Sequence, residues 1–108
     1  MSFEIRYSPV FERAIKRLAK KYPSVRTDFS MLLKELAKNP TSGTPIGKAC
    51  YKVRMAIGSK GKGKSGGARV ITYVRVVRNV VVLLTIYDKS EKETISDKEL
   101  DQLLALVG

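Results

Sequence analysis

At 108 residues the chain is sized for one domain, long enough to bury a single core without disulfide staples. With no histidine and a lone cysteine, Cys50, it offers neither an intrachain disulfide nor a zinc site, and its longest apolar run, Val80 to Leu84, is far too short to span a bilayer. Twenty-one Lys and Arg against ten Asp and Glu leave +11, which favours a phosphate-rich or acidic partner over an anionic membrane surface.

The opening MSFEIRYSP has no apolar core of a signal peptide, so a soluble, cytoplasmic chain is expected. Phe3, Ile5 and Tyr7 alternate with Glu4 and Arg6, which predicts a short strand. Ser8-Pro9 then reads as an N-cap followed by proline at the first helical position. The helix it starts carries Phe11, Ile15, Leu18 and Tyr22 as its stripe, with Arg13, Lys16, Arg17, Lys20 and Lys21 outside it. Tyr22-Pro23-Ser24 ends that helix and begins a second, whose Val25, Phe29, Leu32, Leu33 and Leu36 share a face until Asn39-Pro40. The pair is expected to form an αα-hairpin with solvated basic outer faces. Thr41 to Cys50, rich in Gly, Pro, Ser and Thr, reads as a loop.

Tyr51 to Lys89 reads as three strands, YKVRMAI, ARVITYVRVVRN and VVVLLTIYDK, rich in the β-branched and aromatic residues that a pleated surface favours. In the first, Tyr51, Val53, Met55 and Ile57 oppose Lys52 and Arg54. In the second, Val70, Thr72, Val74 and Val76 oppose Arg69, Ile71, Tyr73 and Arg75. The third is apolar almost throughout and is expected to be central. Between the first two lies GSKGKGKSGG, Gly58 to Gly67. It holds five of the eight glycines, so it is expected to be mobile, with lysines that play no part in the core. Ser90 to Ser96 is polar, and Ser96 or Asp97 can cap a last helix carrying Leu100, Leu103, Leu104 and Val107. That helix is too short to stand alone and must dock or fray.

The hairpin between the last two strands decides which side chains meet. A two-residue turn at Arg78-Asn79 would put Arg69 and Tyr87 on opposite faces. A three-residue loop, Val77-Arg78-Asn79, pairs Val76 with Val80 and sets Arg69 across from Tyr87. Asn79 tolerates the left-handed backbone such loops need. The three-residue loop also keeps Val80, Val82, Leu84 and Ile86 on the face of Val70 and Val74, and it is the expected one.

No P-loop is present, since the glycine-rich tract precedes a strand, and sparse acidic residues argue against two-carboxylate or two-metal chemistry. What remains is Lys52, Arg54, Lys60, Lys62, Lys64, Arg69, Tyr87 and Lys89 converging on one face. Singly, each fits a solvated strand or loop. Together they fit a nucleic acid better. A bidentate guanidinium, Arg69, suits the charge that gathers on phosphorus oxygens during in-line attack, and Arg54 can hold the neighbouring phosphate. Tyr87 can stack on a base, or accept the ribose 2′-hydroxyl proton if cations depress its pKa. Lys64 or Lys89 can protonate the leaving 5′-oxygen.

The segment YKVRMAIGSKGKGKSGGARVITY followed by VVVLLTIYDKSEKE resembles the RelE/HigB-like toxins of bacterial toxin–antitoxin modules, closest to the HigB-type branch. The helical hairpin with its Asn-Pro terminus is a weaker match. The resemblance implies a ribosome-dependent mRNA interferase that cuts mRNA in the A site, needs no metal or other cofactor, and is neutralised by a cognate antitoxin. It also implies attack of the 2′-hydroxyl on the adjacent phosphate. RelE itself has a tyrosine near the start of its last helix. Ile95-Ser96 stand there in this chain, so that role passes to Tyr87. The expected architecture is a single α+β domain over residues 1–108, with a four-stranded, mostly antiparallel sheet, the helical hairpin on one face and a C-terminal helix. Arg69, Tyr87, Lys64 and Lys89 are the catalytic candidates, and Lys52, Arg54, Lys60 and Lys62 the RNA contacts. The alternatives are a ParE-like, non-enzymatic gyrase poison and a plain RNA-binding protein.

Overall fold

The structure, a computed structural model, describes residues 3–107. Ser8 joins the first strand to the first helix. Its hydroxyl accepts from the Phe11 N–H at 3.0 Å, capping α1 (Pro9–Lys21), and donates to the Leu84 carbonyl at 2.7 Å. Its own N–H donates to the Leu83 carbonyl, so β1 (Glu4–Tyr7) is tied to β5 (Val80–Asp88) at the point where the helix leaves. The two strands are parallel, with Ile5 beside Val81. α2 (Val25–Lys38) returns antiparallel to α1 and stops at Asn39, before Pro40 removes the next donor.

The sheet has five strands in the order β1-β5-β4-β3-β2, and only the β1–β5 pair is parallel. The strand missing from the sequence reading is β2 (Thr44–Gly47), inside the stretch expected to be a loop. Lys48 and Ala49, both at positive φ (58° and 62°), fold it back so that Gly47 faces Cys50. A two-residue turn with both central residues left-handed suits the twist of a hairpin, but it normally advertises itself through Asn or Gly. Pro45 costs nothing here because β2 is an edge.

β3 (Cys50–Met55), β4 (Ala68–Arg75) and β5 form the antiparallel centre. The β4–β5 loop has four residues, not three. Val76–Arg78 make a 3₁₀ turn closed by Asn79 at φ 53°, and Arg75 faces Val80. Further along, Ile71 faces Thr85 while Thr72 faces Leu83, leaving Leu84 as the extra residue of a bulge. The extra loop residue and the bulge cancel, so Arg69 does face Tyr87. They also move side chains. Val80, Val82 and Leu84 lie on the opposite face from Val70 and Val74, and of the four residues expected beside those valines only Ile86 is there.

Two apolar layers result. Under α1 and α2 lie Val53, Met55, Ile57, Val70, Val74, Val81, Leu83 and Ile86, met by Phe11, Leu18, Val25, Leu32 and Leu36. On the other face Ile71, Val80, Val82, Leu84 and Tyr87 are covered by Leu100 and Leu103 of α3 (Asp97–Val107). The short last helix therefore docks. Its Asp101 pairs with Lys48 and its Glu99 with Lys92. No helix among the described residues is long and apolar enough to cross a membrane.

Candidate RNA-binding and cleavage site

Where α3 ends its cover, the second face changes from apolar to cationic. Arg54 of β3, Arg69 of β4 and Tyr87 of β5 occupy one row across three strands. Like charges at directly facing positions repel, and neither arginine has a carboxylate partner among the described residues, so this row stores uncompensated positive charge.

The three side chains are presented differently. Arg54 is exposed at the stretch of β3 that β2 does not reach. With Lys64 it lines a cavity of about 300 Å³ against α2, and with Lys64 and Lys52 a second of about 210 Å³ beside Thr44. Arg69 is 3 % exposed. Its guanidinium donates to the carbonyls of Lys64 (2.9 Å), Ala68 (3.0 Å) and Ser65 (3.1 Å). Burial lowers its pKa, helped by the charge on Arg54 and opposed by Tyr87, yet an arginine stays protonated. Three of its five N–H groups are engaged, two of them on loop carbonyls, and its charge remains whole.

Tyr87 packs beneath α3, with Lys92 Nζ 5.5 Å from the ring centre, and its hydroxyl is buried without a hydrogen-bond partner. Burial pushes its pKa up, and Arg69 only partly offsets this. The cations therefore do not make it a ready base at neutral pH. Cys50 is no nucleophile either, since burial, against a smaller pull from Lys48, pushes its thiol up to about 11.

The lysine tract does not hang free. The Gly58 N–H donates to Asp28, the Ser59 N–H to the Ser24 hydroxyl, and Gly58–Lys60 form a 3₁₀ turn. Gly67 crosses so close to β3 that a Cβ there would lie 2.2 Å from the Met55 carbonyl oxygen. Lys60, expected to meet RNA, points inward instead. Its ammonium lies 2.7 Å from Asp88, with the lysine side chain 8 % and the aspartate 0 % exposed. The Tyr22 hydroxyl (2.9 Å) and the N–H and hydroxyl of Ser90 also donate to Asp88. Burial alone would raise the Asp88 pKa, but Lys60, Ser90 and Tyr22 together hold it far below the ordinary carboxylate range.

Lys62 and Lys64 are exposed, and Lys89 is partly buried with its N–H on the Gly67 carbonyl. The fold thus brings Lys52, Arg54 and Lys64 together on one side of Arg69 and Tyr87 with Lys92 on the other, and it withdraws Lys60 into the structure. Sequence reasoning missed Asp88, Tyr22 and Lys92. The available signal was an aspartate directly after strand residues that are apolar but for Thr85, where a carboxylate must find a cation.

Two comparisons bear on this arrangement. A family model described as the RelE toxin of the RelE/RelB toxin–antitoxin system matches residues 10–108. Among solved structures, the intact RelBE toxin–antitoxin complex of Escherichia coli is similar at 18 % identity and TM-score 0.63, covering 81 % of this chain and 96 % of that one. The isolated E. coli RelE toxin is similar at 20 % identity and TM-score 0.58, covering 96 % and 98 %. The toxin–antitoxin complex RelBE2 of Mycobacterium tuberculosis follows at 14 % and 0.58, covering 82 % and 99 %.

Proposed function

We propose that this chain, which belongs to the RelE toxin family of toxin–antitoxin systems, is an mRNA interferase that cuts mRNA on the ribosome and is held in check by a cognate antitoxin. The observation that carries the reading is the Arg54–Arg69–Tyr87 row, two unpaired guanidinium groups and an aromatic ring at the edge of a helix-covered sheet face. No part of it needs a metal or cofactor. The ribose 2′-oxygen attacks the adjacent phosphorus, its proton passes to a base, the P–O5′ bond breaks and the 5′-oxygen is protonated. Charge gathers on the non-bridging oxygens, where Arg69 and Arg54 act.

Arg69 also sets the loop that carries Lys62 and Lys64, through the carbonyls it holds. Lys64 or Lys89 supplies the proton to the leaving oxygen. With its ring covered by α3 and its pKa raised, Tyr87 serves as a hydroxyl donor ahead of a role as proton acceptor. Weak acid–base help makes substrate positioning by the ribosome the larger contribution, so free RNA should be cut slowly.

Mapping mRNA ends after brief induction tests the reading. Codon-phased cuts are expected, whereas DNA damage without such cuts would mark a gyrase poison. Single-turnover cleavage on programmed ribosomes then separates the roles. Arg69→Lys keeps the charge but loses the fork, and should slow cleavage by about two orders of magnitude, roughly 3 kcal/mol, with ribosome binding nearly intact. Wild-type cleavage by Arg69→Lys would remove Arg69 from the chemistry. Tyr87→Phe at full rate would remove the Tyr87 hydroxyl from the chemistry.

A further inference from the structure

A separate cavity of about 590 Å³ opens beyond Tyr87, between α1, the end of β5 and the segment leading into α3. β1 accompanies β5 only as far as Leu83, so Thr85 to Asp88 line this cavity along a stretch of β5 that β1 leaves uncovered. Its helical wall is Arg13, Arg17 and Lys21, which four-residue spacing stacks along one side of α1.

Three observations distinguish this wall from the solvated basic face expected from the sequence. Like charges four residues apart destabilise a helix. Lys21 is relieved by Glu91 at 2.9 Å, but Arg13 and Arg17 have no ion pair among the described residues. Secondly, two of the chain's own carboxylates already sit on cations of the cavity, Glu91 on Lys21 and Glu99 on Lys92, so it is a place that gathers anionic oxygens. Thirdly, Tyr87 lines it and keeps an unpartnered hydroxyl, although the residue is 9 % exposed.

We propose that this cavity is a phosphate subsite, in which Arg13 and Arg17 hold a phosphodiester of the RNA flanking the bond that is cut. The inference rests on the RNA-cleaving reading and extends its binding path from the sheet to α1. Tyr87 belongs both to the row with Arg54 and Arg69 and to this cavity, so a strand that crosses the row reaches Arg13 and Arg17 next. Guanidinium forks suit phosphate geometry, and this continuity favours RNA over a detached acidic peptide.

The test uses the full chain and non-cleavable 2′-O-methyl RNA of increasing length, with affinity read by fluorescence anisotropy over a range of salt. Wild-type affinity should step up once the oligonucleotide spans from the row to α1. In Arg13→Ser/Arg17→Ser that step should vanish, with a log–log salt slope flatter by about 0.7, the amount for one single-strand phosphate, and binding about tenfold weaker. Its melting temperature should hold or rise as the ladder repulsion is relieved. Lys16→Ser/Lys20→Ser removes equal charge from exposed α1 positions outside the cavity and should keep the step. A wild-type slope and step in the double arginine variant overturns the subsite, as does the same loss in both double variants. Absence of codon-phased cleavage by the wild type would instead defeat the parent reading, and it is scored in a different assay.

Discussion

The two faces of the sheet are built from the same kinds of residue and used in opposite ways. Under α1 and α2 the apolar layer runs from end to end, and a buried ion pair, Lys60 with Asp88, closes the corner. Under α3 the layer stops at Tyr87, and within one row the sheet passes from Leu103 cover to Arg69 and Arg54. A continuous cover gives stability. An interrupted cover leaves charge at a low-dielectric border, where a guanidinium acts more strongly on an anion than it would in open water.

Removing one buried leucine from each face tests this contrast most strongly. Leu36→Ala, in the continuous layer, should cost about 4 kcal/mol of global stability in chemical denaturation. Leu100→Ala, equally buried under α3, should release that helix locally. Amide exchange would then quicken in Asp97–Val107 while the sheet stays protected. Equal, global losses would mean that the two faces form one cooperative unit.

The closed corner comes next. Asp88→Asn leaves Lys60 buried without its anion and should cost about 3 kcal/mol. The pH dependence sharpens the point. The folded Asp88 pKa lies below its unfolded value of about 3.9, so its contribution is complete above that pH and drains away as pH falls. Between about pH 5 and pH 2 the wild-type melting temperature should therefore drop more steeply than that of Asp88→Asn. Parallel curves would dismiss the ion pair as a source of acid sensitivity.

Two lysines of one loop divide between the faces. Lys60→Ser should lower thermal stability and leave the salt slope of RNA binding unchanged. Lys62→Ser should leave stability alone and flatten that slope by about 0.7. A reversed pattern would invert the assignment of this loop. The smallest effect is expected at the β2–β3 turn. Ala49→Gly relieves a left-handed alanine at φ 62° and should stabilise by up to about 1 kcal/mol, measured as a shift in the denaturation midpoint.

Much of this was legible in the residues. Ser8-Pro9, Asn39-Pro40 and the strand alternation placed the hairpin of helices and the central strands, because each signal acts locally. The Arg69–Tyr87 pairing was reached through a loop one residue too short, and the bulge at Leu84 supplied the residue that corrected it. Bulges depend on what the neighbouring strand demands, here the Leu83 and Leu84 carbonyls that Ser8 takes up, and no local pattern announces them. β2 was hidden because its turn uses Lys48 and Ala49 in a conformation those residues dislike. Lys60 looked like its neighbours Lys62 and Lys64. Only the fold shows that 28 residues later a carboxylate waits for it.

The parallel pairing of β1 with β5 also has a consequence in time. Ser8 bonds to a carbonyl 76 residues further along the chain. At translation rates of about 5–20 residues per second, β1 waits roughly four to fifteen seconds for its partner strand β5 to be made. Helices α1 and α2 emerge early but have no sheet to rest on, and the row that carries Arg54, Arg69 and Tyr87 exists only once β5 is complete. Such non-local closure folds slowly. A nascent copy therefore lacks this cationic row until nearly its last helix has been made.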